Sequence, residues 1–222
     1  MFNLIKELLL SYKKNKINFI KFPIFLRFLI KGYGNNLLFK SRMVLSKLQI
    51  EGNNNYIELN ENVCKRISIN IEGNNNKIII KHARDISNLV LVIKDNNNTI
   101  FIDENTGIGG ARIVCMGDGK FINIGKSCML SDNIEIWNYD GHTIYDSEMN
   151  IINKPKSIII EDNVWIGRNV SILKGSHIGK GSIVGMNSLI PNKIVKNNTL
   201  VAGSPIKIIK EDISWNIGRY YE

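Results

Sequence analysis

The sequence predicts an all-β fold, a parallel β-helix of stacked three-sided coils, from three observations. Ile occurs 40 times and Asn 31 times in 222 residues, whereas Ala occurs three times, which disfavours a mostly helical chain. Asn runs recur every 21 or 22 residues, at 53–55, 74–76 and 96–98. Aliphatic residues then recur every six residues from Ile160 to Ile190. Three such steps make one coil, whose aliphatic side chains fill a narrow prism.

In the first half of the chain, each Asn run is followed by apolar residues at alternate positions, the period of a short strand. Asn and Gly tolerate the left-handed backbone of a tight corner, so each repeat is interpreted as strand, corner, strand. A six-residue period also occurs inside these repeats. The aliphatic positions predicted to point inward are Ile80, Ile86, Val92, Ile102, Ile108, Val114, Ile124, Leu130 and Ile136.

In the second half the six-residue period is unbroken, and each aliphatic residue is followed four positions later by a small or β-branched residue. The aliphatic positions are Ile160, Ile166, Ile172, Ile178, Val184 and Ile190, and the small positions are Val164, Val170, Ser176, Ser182, Ser188 and Ile194. We expect both sets to lie inside the prism. A β-sandwich would instead require turn signals every 8 to 12 residues and would not hold this phase.

The charge divides the chain. Residues 1–47 carry ten Lys or Arg and one acid, whereas residues 48–222 carry nineteen of each sign. We therefore expect a basic, helical N-terminal segment at 1–47, a β-helix domain at 48–210 and a tail at 211–222. The segment is interpreted either as helices that cap the open end of the β-helix, which we favour, or as an amphipathic segment in peripheral contact with an anionic membrane. Its uncharged stretches are too short to span a bilayer.

Composition also limits the compartment and the partners. Three scattered cysteines do not form a disulfide framework or a CxxC site, which indicates a reducing compartment, so a cytoplasmic location is expected. No secretory cleavage site follows the N-terminal segment. The neutral body of the chain offers no basic stripe with stacking residues, so nucleic acid is not expected as a partner. A zinc site would require convergent histidines, and the three present are not paired, so no metal is expected.

Four stretches in the second half resemble a known family. They are IEDNVWIG at 160–167, ILKGSHIG at 172–179, IVGMNS at 183–188 and VAGSPIK at 201–207. The sequence resembles the hexapeptide-repeat acyltransferases with a left-handed parallel β-helix, over about residues 100 to 210. Within them it is similar to the galactoside, maltose and xenobiotic acetyltransferases, and most of all to the O-acetyltransferases of capsular polysaccharide and sialic acid.

The resemblance implies an acetyl-CoA-dependent O-acetyltransferase of the bacterial cytoplasm, at the inner face of the membrane if the N-terminal segment binds there. It implies a glycan acceptor and a homotrimer with active sites at its interfaces. The family's coenzyme A contacts match Arg168, Met186, Lys193, Lys207 and Lys210, although Arg168 and Met186 stand where small residues are usual. The alternatives are an N-acetyltransferase of an amino sugar or small molecule, and a scaffold or binding module without enzymatic activity.

One long interruption of the repeat, at 137–157, carries the residues expected to perform the chemistry. A sugar hydroxyl needs a base to take its proton, and an imidazole titrates near neutral pH. His142 is the expected base, with Asp140, Asp146 or a backbone carbonyl orienting its ring. In the resembled family a histidine at this distance before the Trp of VWIG is the general base, which places Trp165 near the catalytic site.

Other residues of the same loop are expected to bind the acceptor. Trp137, Tyr139 and Tyr145 suit stacking on a sugar ring, and Lys156 suits an acidic sugar. Outside the loop, Trp165 is interpreted equally as core packing or as a platform beside the acceptor. His82 and His177 are interpreted as structural, and Cys115 and Cys128 as unreactive.

Overall fold

Short strands account for almost all regular structure in the chain. A computed structural model describes residues 13–21, 23–60 and 63–218. The strands, in chain order, are β1 (Lys16–Phe19), β2 (Ile24–Lys31), β3 (Asn36–Phe39), β4 (Arg42–Glu51), β5 (Tyr56–Leu59), β6 (Val63–Lys65), β7 (Ser68–Glu72), β8 (Lys77–Ile80), β9 (Asp85–Ser87), β10 (Leu89–Lys94), β11 (Thr99–Ile102), β12 (Gly107–Ile108), β13 (Ala111–Cys115), β14 (Phe121–Ile124), β15 (Met129–Leu130), β16 (Ile134–Trp137), β17 (Ile158–Ile160), β18 (Trp165–Ile166), β19 (Ser171–Leu173), β20 (His177–Ile178), β21 (Ile183–Val184), β22 (Leu189–Ile190), β23 (Ile194–Val195), β24 (Leu200–Ala202) and β25 (Lys207–Lys210).

The strands stack into three parallel faces, which confirms the predicted parallel β-helix. The first face runs β1-β3-β5-β8-β11-β14-β17-β20-β23. The second face runs β6-β9-β12-β15-β18-β21-β24, and the third runs β7-β10-β13-β16-β19-β22. β4 turns the corner between the last two, because its start pairs with β6 and its end with β7. One circuit of the chain therefore contributes one strand to each face.

The prism interior is filled by aliphatic side chains, as the six-residue period predicts. Ile160, Ile166, Ile172, Ile178 and Ile190 are each at most 1% exposed. The corner residues Val164, Val170, Ser176, Ser182 and Ser188 are also buried, and the serine hydroxyls bind backbone carbonyls. For example, Ser182 Oγ donates to the Lys196 carbonyl at 2.7 Å. Each coil thus buries its inner edge against its neighbours.

Two details of the predicted period are wrong. On the third face the inward row is Leu91, Ile113 and Ile136, because Ile113 pairs with Ile136, whereas Val92 and Val114 lie in the row of Trp137. In the last coil the step shortens. Val195 fills the interior five residues after Ile190, which leaves Ile194 77% exposed.

The Asn runs form the corner between the third and first faces. Asn55, Asn76 and Asn98 are buried there in a ladder, in which each side-chain oxygen accepts the amide of the next coil at 2.9 or 2.7 Å. Asn75 and Asn97 hold the left-handed backbone expected of a tight corner. The long loop leaves the prism at this same corner, two coils beyond Asn98.

Apart from Lys13 and Lys14, which are helical, the described part of the N-terminal segment is not a helical appendage. β1 to β4 lie within residues 16–51 and continue the same faces, with β1 paired to β3 and β2 to β4. The predicted boundary at residue 47 falls inside β4. The alternation of Lys and Asn with apolar residues in this segment fits strands that have one solvent-exposed face and one buried face. Residues 1–12 lie outside the described part of the chain, and with them part of the predicted cap. Among the described residues, none belongs to a helix with the length and apolarity needed to cross a membrane.

At the other end the chain reverses. β25 pairs antiparallel with β24, with Lys207 opposite Ala202 and Ile208 opposite Val201. The predicted tail is described as far as Gly218, and residues 219–222 lie outside the described part. This reversal closes the second face.

Candidate active site

The long loop leaves the prism after β16 and returns at β17, so it projects from the corner between the third and first faces. Both ends are fixed to the coil below. Asn138 is buried and clamps Met116, accepting its amide at 2.7 Å and donating to its carbonyl at 2.8 Å. Ser157 Oγ accepts the Phe121 amide at 3.1 Å. The loop therefore starts and ends on a rigid support.

The tip of the loop is a small hairpin. The Ile152 amide donates to the Ile144 carbonyl, and the Asp146 amide donates to the Asn150 carbonyl, both at 3.0 Å. The Asp146 carboxylate accepts the amides of Glu148 and Asn150, and the bond from Asn150 chiefly lowers its pKa. Asp146 thus closes the turn. Its hydrogen bonds go to the turn and not to His142, the partner that the sequence offered as an alternative.

Asn153 organises the segment that carries His142. Its side chain is 5% exposed. Nδ2 donates to the His142 carbonyl at 2.7 Å and to Asp140 at 3.0 Å, and Oδ1 accepts the Ile144 amide at 2.7 Å. One amide group therefore fixes both sides of the histidine. The sequence reasoning missed Asn153, because nothing local distinguishes it from the other 30 Asn residues.

Asp140 is tied to a neighbouring coil. Its carboxylate forms an ion pair with Lys174, whose ammonium also donates to the Asn153 carbonyl at 3.3 Å. Partial burial raises the pKa of Asp140, but the hydrogen bonds from Lys174 and Asn153 outweigh it, so the pKa lies below its ordinary value. Asp140 thereby holds the loop to the prism.

The His142 side chain is exposed in the single chain. Among the residues that the structure describes, none forms a hydrogen bond with its ring, and Asp140 is occupied by Lys174 and Asn153. The orientation of the imidazole by Asp140 is therefore not observed within one chain. His142 therefore lies on a well-anchored loop with its side chain exposed.

Beside the start of the loop, the third face carries an open groove of about 600 Å³. It is lined by Arg112, Glu135, Trp137, Tyr139, Asp140, Ser171 and Leu173. The Arg112 guanidinium lies 5.3 Å from the centre of the Trp137 ring, and Trp137 Nε1 donates to Glu135 at 2.6 Å. An aromatic ring, a cation and a carboxylate in one groove suit a sugar ring and its polar substituents.

The structure brings two of the four predicted acceptor residues into this groove. Trp137 and Tyr139 line it, whereas Tyr145 lies exposed on the loop hairpin and Lys156 lies exposed near the loop's end. Sequence reasoning missed Arg112, which lies one coil below Glu135 in parallel register. The closeness of Arg112 to Glu135 becomes visible only from the pairing of β13 with β16.

Trp165 lies on a different side of the prism from the loop. It belongs to β18 on the second face and is 37% exposed, so it is not buried core. The loop leaves at the opposite corner, between the third and first faces. His142 and Trp165 of one chain therefore face different directions.

The predicted coenzyme A residues fall into two groups. Arg168 and Met186 occupy the corner between the second and third faces in successive coils, joined by the bond from the Asn187 amide to the Arg168 carbonyl at 2.9 Å. Arg168 also pairs with Asp132 at 3.1 Å. Lys193 and Lys207 line a cavity of about 220 Å³ at the C-terminal end. Lys210 ends β25 and is exposed.

The remaining candidates have structural surroundings. His177 Nε2 lies 2.6 Å from a Glu161 carboxylate oxygen. Cys115 and Cys128 are fully buried, and burial raises their pKa values to about 12 and about 11, which suppresses the reactive thiolate. Within the described ranges, no three His, Cys, Asp or Glu side chains gather as a metal site would require.

A three-sided parallel β-helix that ejects a histidine-bearing loop is the architecture of the hexapeptide-repeat acyltransferases. In agreement, a family described as bacterial transferase hexapeptide (six repeats) matches residues 157–192. A polysialic acid O-acetyltransferase of Neisseria meningitidis is 42% identical over 178 residues, which cover 79% of this chain and 82% of that protein. Another, from Escherichia coli O1:K1 / APEC, is 42% identical over 125 residues, covering 56% of this chain and 40% of that protein.

Solved structures give the same result. The polysialic acid O-acetyltransferase OatWY matches with a TM-score of 0.75 and 32% identity, covering 87% of this chain and 93% of that one. The polySia specific acetyltransferase NeuO matches with a TM-score of 0.64 and 28% identity, covering 88% and 84%. This chain belongs to the polysialic acid O-acetyltransferase family of hexapeptide-repeat proteins, and it is an acyltransferase.

Proposed function

We propose that this protein transfers an acetyl group from acetyl-CoA to a hydroxyl of an acidic capsular polysaccharide such as polysialic acid. The likeness to the Neisseria meningitidis enzyme over 178 residues supports the acceptor class. The observation that carries the proposal is the loop-borne His142, whose carbonyl Asn153 holds two residues after Asp140 at the wall of the groove.

In the proposed reaction, the His142 imidazole takes the proton of the sugar hydroxyl as its oxygen attacks the thioester carbonyl carbon. The carbonyl electrons move onto the oxygen and return as the carbon–sulfur bond breaks. Coenzyme A leaves as a thiolate and takes the proton from the imidazolium. The products are a sugar acetate ester and free coenzyme A, and the base is regenerated without an acyl-enzyme.

The acceptor groove fits an acidic sugar through two features. Trp137 offers an aromatic surface, and Arg112 makes no ion pair with any described residue, so its guanidinium is available to a carboxylate. Asp140 is paired with Lys174, whereas Glu135 accepts a hydrogen bond from the neutral Trp137 indole, which does not offset a carboxylate charge. The groove therefore offers the Arg112 guanidinium to a sugar carboxylate and the Glu135 carboxylate to sugar hydroxyls.

We also propose that the active protein is a homotrimer, because the two halves of the site lie on different sides of one chain. The loop of one protomer would meet the second face of the next, bringing His142 to Trp165. The loop hairpin carries Ile144, Met149, Ile151 and Ile152 in exposed positions, which suits burial against a neighbour.

The donor and the location are part of the same proposal. Acetyl-CoA would lie along the second face, with its phosphates near Lys193, Lys207 or Lys210 at the C-terminal end. We place the enzyme in the cytoplasm, with the basic first part of the chain in reach of the membrane where glycans are assembled.

The experiment measures thiol release from acetyl-CoA with polysialic acid as acceptor. His142→Ala is expected to lower the rate about 10²- to 10⁴-fold, because the hydroxyl loses its base. His82→Ala is the matched control, since His82 lies exposed in an early coil, and it should keep the wild-type rate. An unchanged rate in His142→Ala would refute the mechanism, and an alkali-stable product would indicate an amide instead of an ester.

A further inference from the structure

The carboxyl-terminal tail runs back along the prism after β25. The Ile213 amide donates to the Asn198 carbonyl at 2.9 Å, and Trp215 Nε1 donates to the Asn163 carbonyl at 2.8 Å. Asn198 and Asn163 occupy the same corner, between the first and second faces, two coils apart. Residues 211–218, named here the tail strap, therefore lie along that corner.

An ion pair also fastens the start of the tail strap. Glu211 lies 3.5 Å from the Lys196 ammonium, which projects from the same corner. This pair is exposed and contributes little. The indole hydrogen bond is the stronger anchor, since it is partly shielded from water, and it joins the tail to a coil 52 residues earlier in the sequence.

Trp215 is held against Trp165. The ring centres are 5.9 Å apart with 44° between their planes, a tilted aromatic pair. The bond to Asn163 fixes the orientation of the Trp215 ring, and Asn163 lies only two residues before Trp165. The tail thus presents a fixed wall to one side of the Trp165 indole.

Without that wall, Trp165 would stand on a flat face. Its neighbours in register, Met129 and Ile183, belong to the coils below and above. Small residues flank it on the other side, where Gly167 and Gly185 follow in the next row. The glycine side leaves room for the indole to turn, whereas Trp215 stands against it on the corner side.

We propose that Trp215 is a positioning residue, which holds the Trp165 indole in the orientation that borders the bound thioester and the acceptor. This inference rests on the proposed function, in which Trp165 belongs to the site. Trp215 acts through Trp165 and need not touch either substrate. The part of the tail strap from Ile213 onward then supports the site through Trp165, and removal of residues beyond Asp212 should impair transfer while the prism remains folded.

The test uses full-length protein labelled with 5-fluorotryptophan, whose three fluorine resonances are assigned by single Trp→Phe variants. In Trp215→Ala, the Trp165 resonance should move toward that of free fluorotryptophan, and its shift on addition of acetyl-CoA should shrink. The kcat should fall about 10- to 100-fold, as expected for a displaced site residue. Trp215→Phe keeps a ring but loses the N–H, so its kcat should lie between those of the wild type and Trp215→Ala.

Glu211→Gln is the control, because it breaks only the exposed ion pair of the tail strap and should leave the Trp165 resonance and kcat at their wild-type values. An unmoved Trp165 resonance in Trp215→Ala overturns the inference, and so does a moved resonance with wild-type kcat. If the wild-type protein acetylates no glycan, the proposed function fails. The acetyl-CoA response of Trp165 then still decides the inference, because an undiminished response in Trp215→Ala overturns it.

Discussion

Asn153 shows how one buried amide controls a catalytic loop. Its two polar atoms bind His142, Asp140 and Ile144, so the backbone on both sides of the histidine depends on a single side chain. Buried amides that lose their partners are costly, since each orphaned group keeps its desolvation penalty. Asn153 is therefore as important to the site as a residue that touches substrate.

Asn153→Ala should lower kcat/KM about 10- to 100-fold, because the segment that carries His142 loses three hydrogen bonds and shifts. Asn150→Ala, in the turn at the loop tip, is the control and should have a much smaller effect. Steady-state rates and hydrogen exchange of the Ile144 amide measure the two consequences. Wild-type rates in Asn153→Ala would show that the loop is held by other contacts.

The pKa of Asp140 makes the loop tether sensitive to acid. Because the folded pKa lies below the ordinary 3.8, the tether contributes stability above that value and loses it as pH falls through the folded pKa. A carboxyl ¹³C titration should therefore give Asp140 a midpoint below 3.8. In Lys174→Met the midpoint should rise, since partial burial remains while the cation is gone. A midpoint unchanged by this substitution would contradict the pairing.

Sequence reasoning found the residues whose chemistry is unusual and missed those whose role depends on register. His142 stands out because a histidine with aromatic and acidic neighbours interrupts a regular repeat. Arg112 and Lys174 look like ordinary surface cations in the sequence. They reach the site only through parallel pairing, which sets Arg112 beside Glu135 and places Lys174 one coil above the loop.

The Asn corner is the element that supports the first half of the prism. In this corner, each Asn side chain of the buried ladder binds two backbone groups. Asn76 Oδ1 accepts the Asn98 amide at 2.9 Å, and Asn76 Nδ2 donates to the Asp95 carbonyl at 2.9 Å. Corners of a β-helix leave backbone groups without strand partners, and the ladder supplies those partners from side chains.

Asn76→Ala should lower the free energy of unfolding by about 1 to 3 kcal/mol, because the buried Asn98 amide and the partly buried Asp95 carbonyl lose their partners. Asn123→Ala is the matched control, since Asn123 lies on the first face without a side-chain hydrogen bond to any described residue. It should change stability by less than about 0.5 kcal/mol. Urea unfolding followed by circular dichroism measures both. Equal losses of unfolding free energy in the two variants would show that the Asn ladder adds no stability of its own.

Element prediction succeeded where the period was strict and failed where charge masked it. The strands from Ile158 to Ile190 follow the six-residue period, so their inward residues were predictable. β1 to β4 were mistaken for helices because Lys residues interrupt their apolar pattern. The corners before β1 and β3 carry only a single Asn15 and the pair Asn35–Asn36, shorter than the three-residue Asn runs that mark the later coils. The exposure of Ile194 was also unpredictable, since it follows from one shortened step in the last coil.

At the scale of the whole molecule, the separation of His142 from Trp165 leads to a complementation experiment. His142→Ala and Trp165→Ala should each be inactive alone. When both are unfolded together and refolded as a mixture, about a quarter of the wild-type activity should return. In an equal mixture, half of the loops carry His142 and half of the second faces carry Trp165. If protomers combine at random in a closed ring, a quarter of the sites contain both residues.

The control for that experiment mixes the two variants without unfolding them, which should restore nothing while the trimers stay intact. Light scattering of the wild-type protein should give three times the mass of the 25.2 kDa chain. No recovery after co-refolding, with trimers formed, would place both residues of a working site in one chain and contradict the shared site.

The reversal at β25 has a consequence for solubility. A prism built by adding identical coils offers an open edge to which another molecule's first coil would bind, extending the stack into a fibre. β25 fills the edge of β24 with a strand of opposite direction that carries Lys207 and Lys210. On that face another molecule would meet a strand of opposite direction that carries two lysines, which disfavours end-to-end stacking of coils.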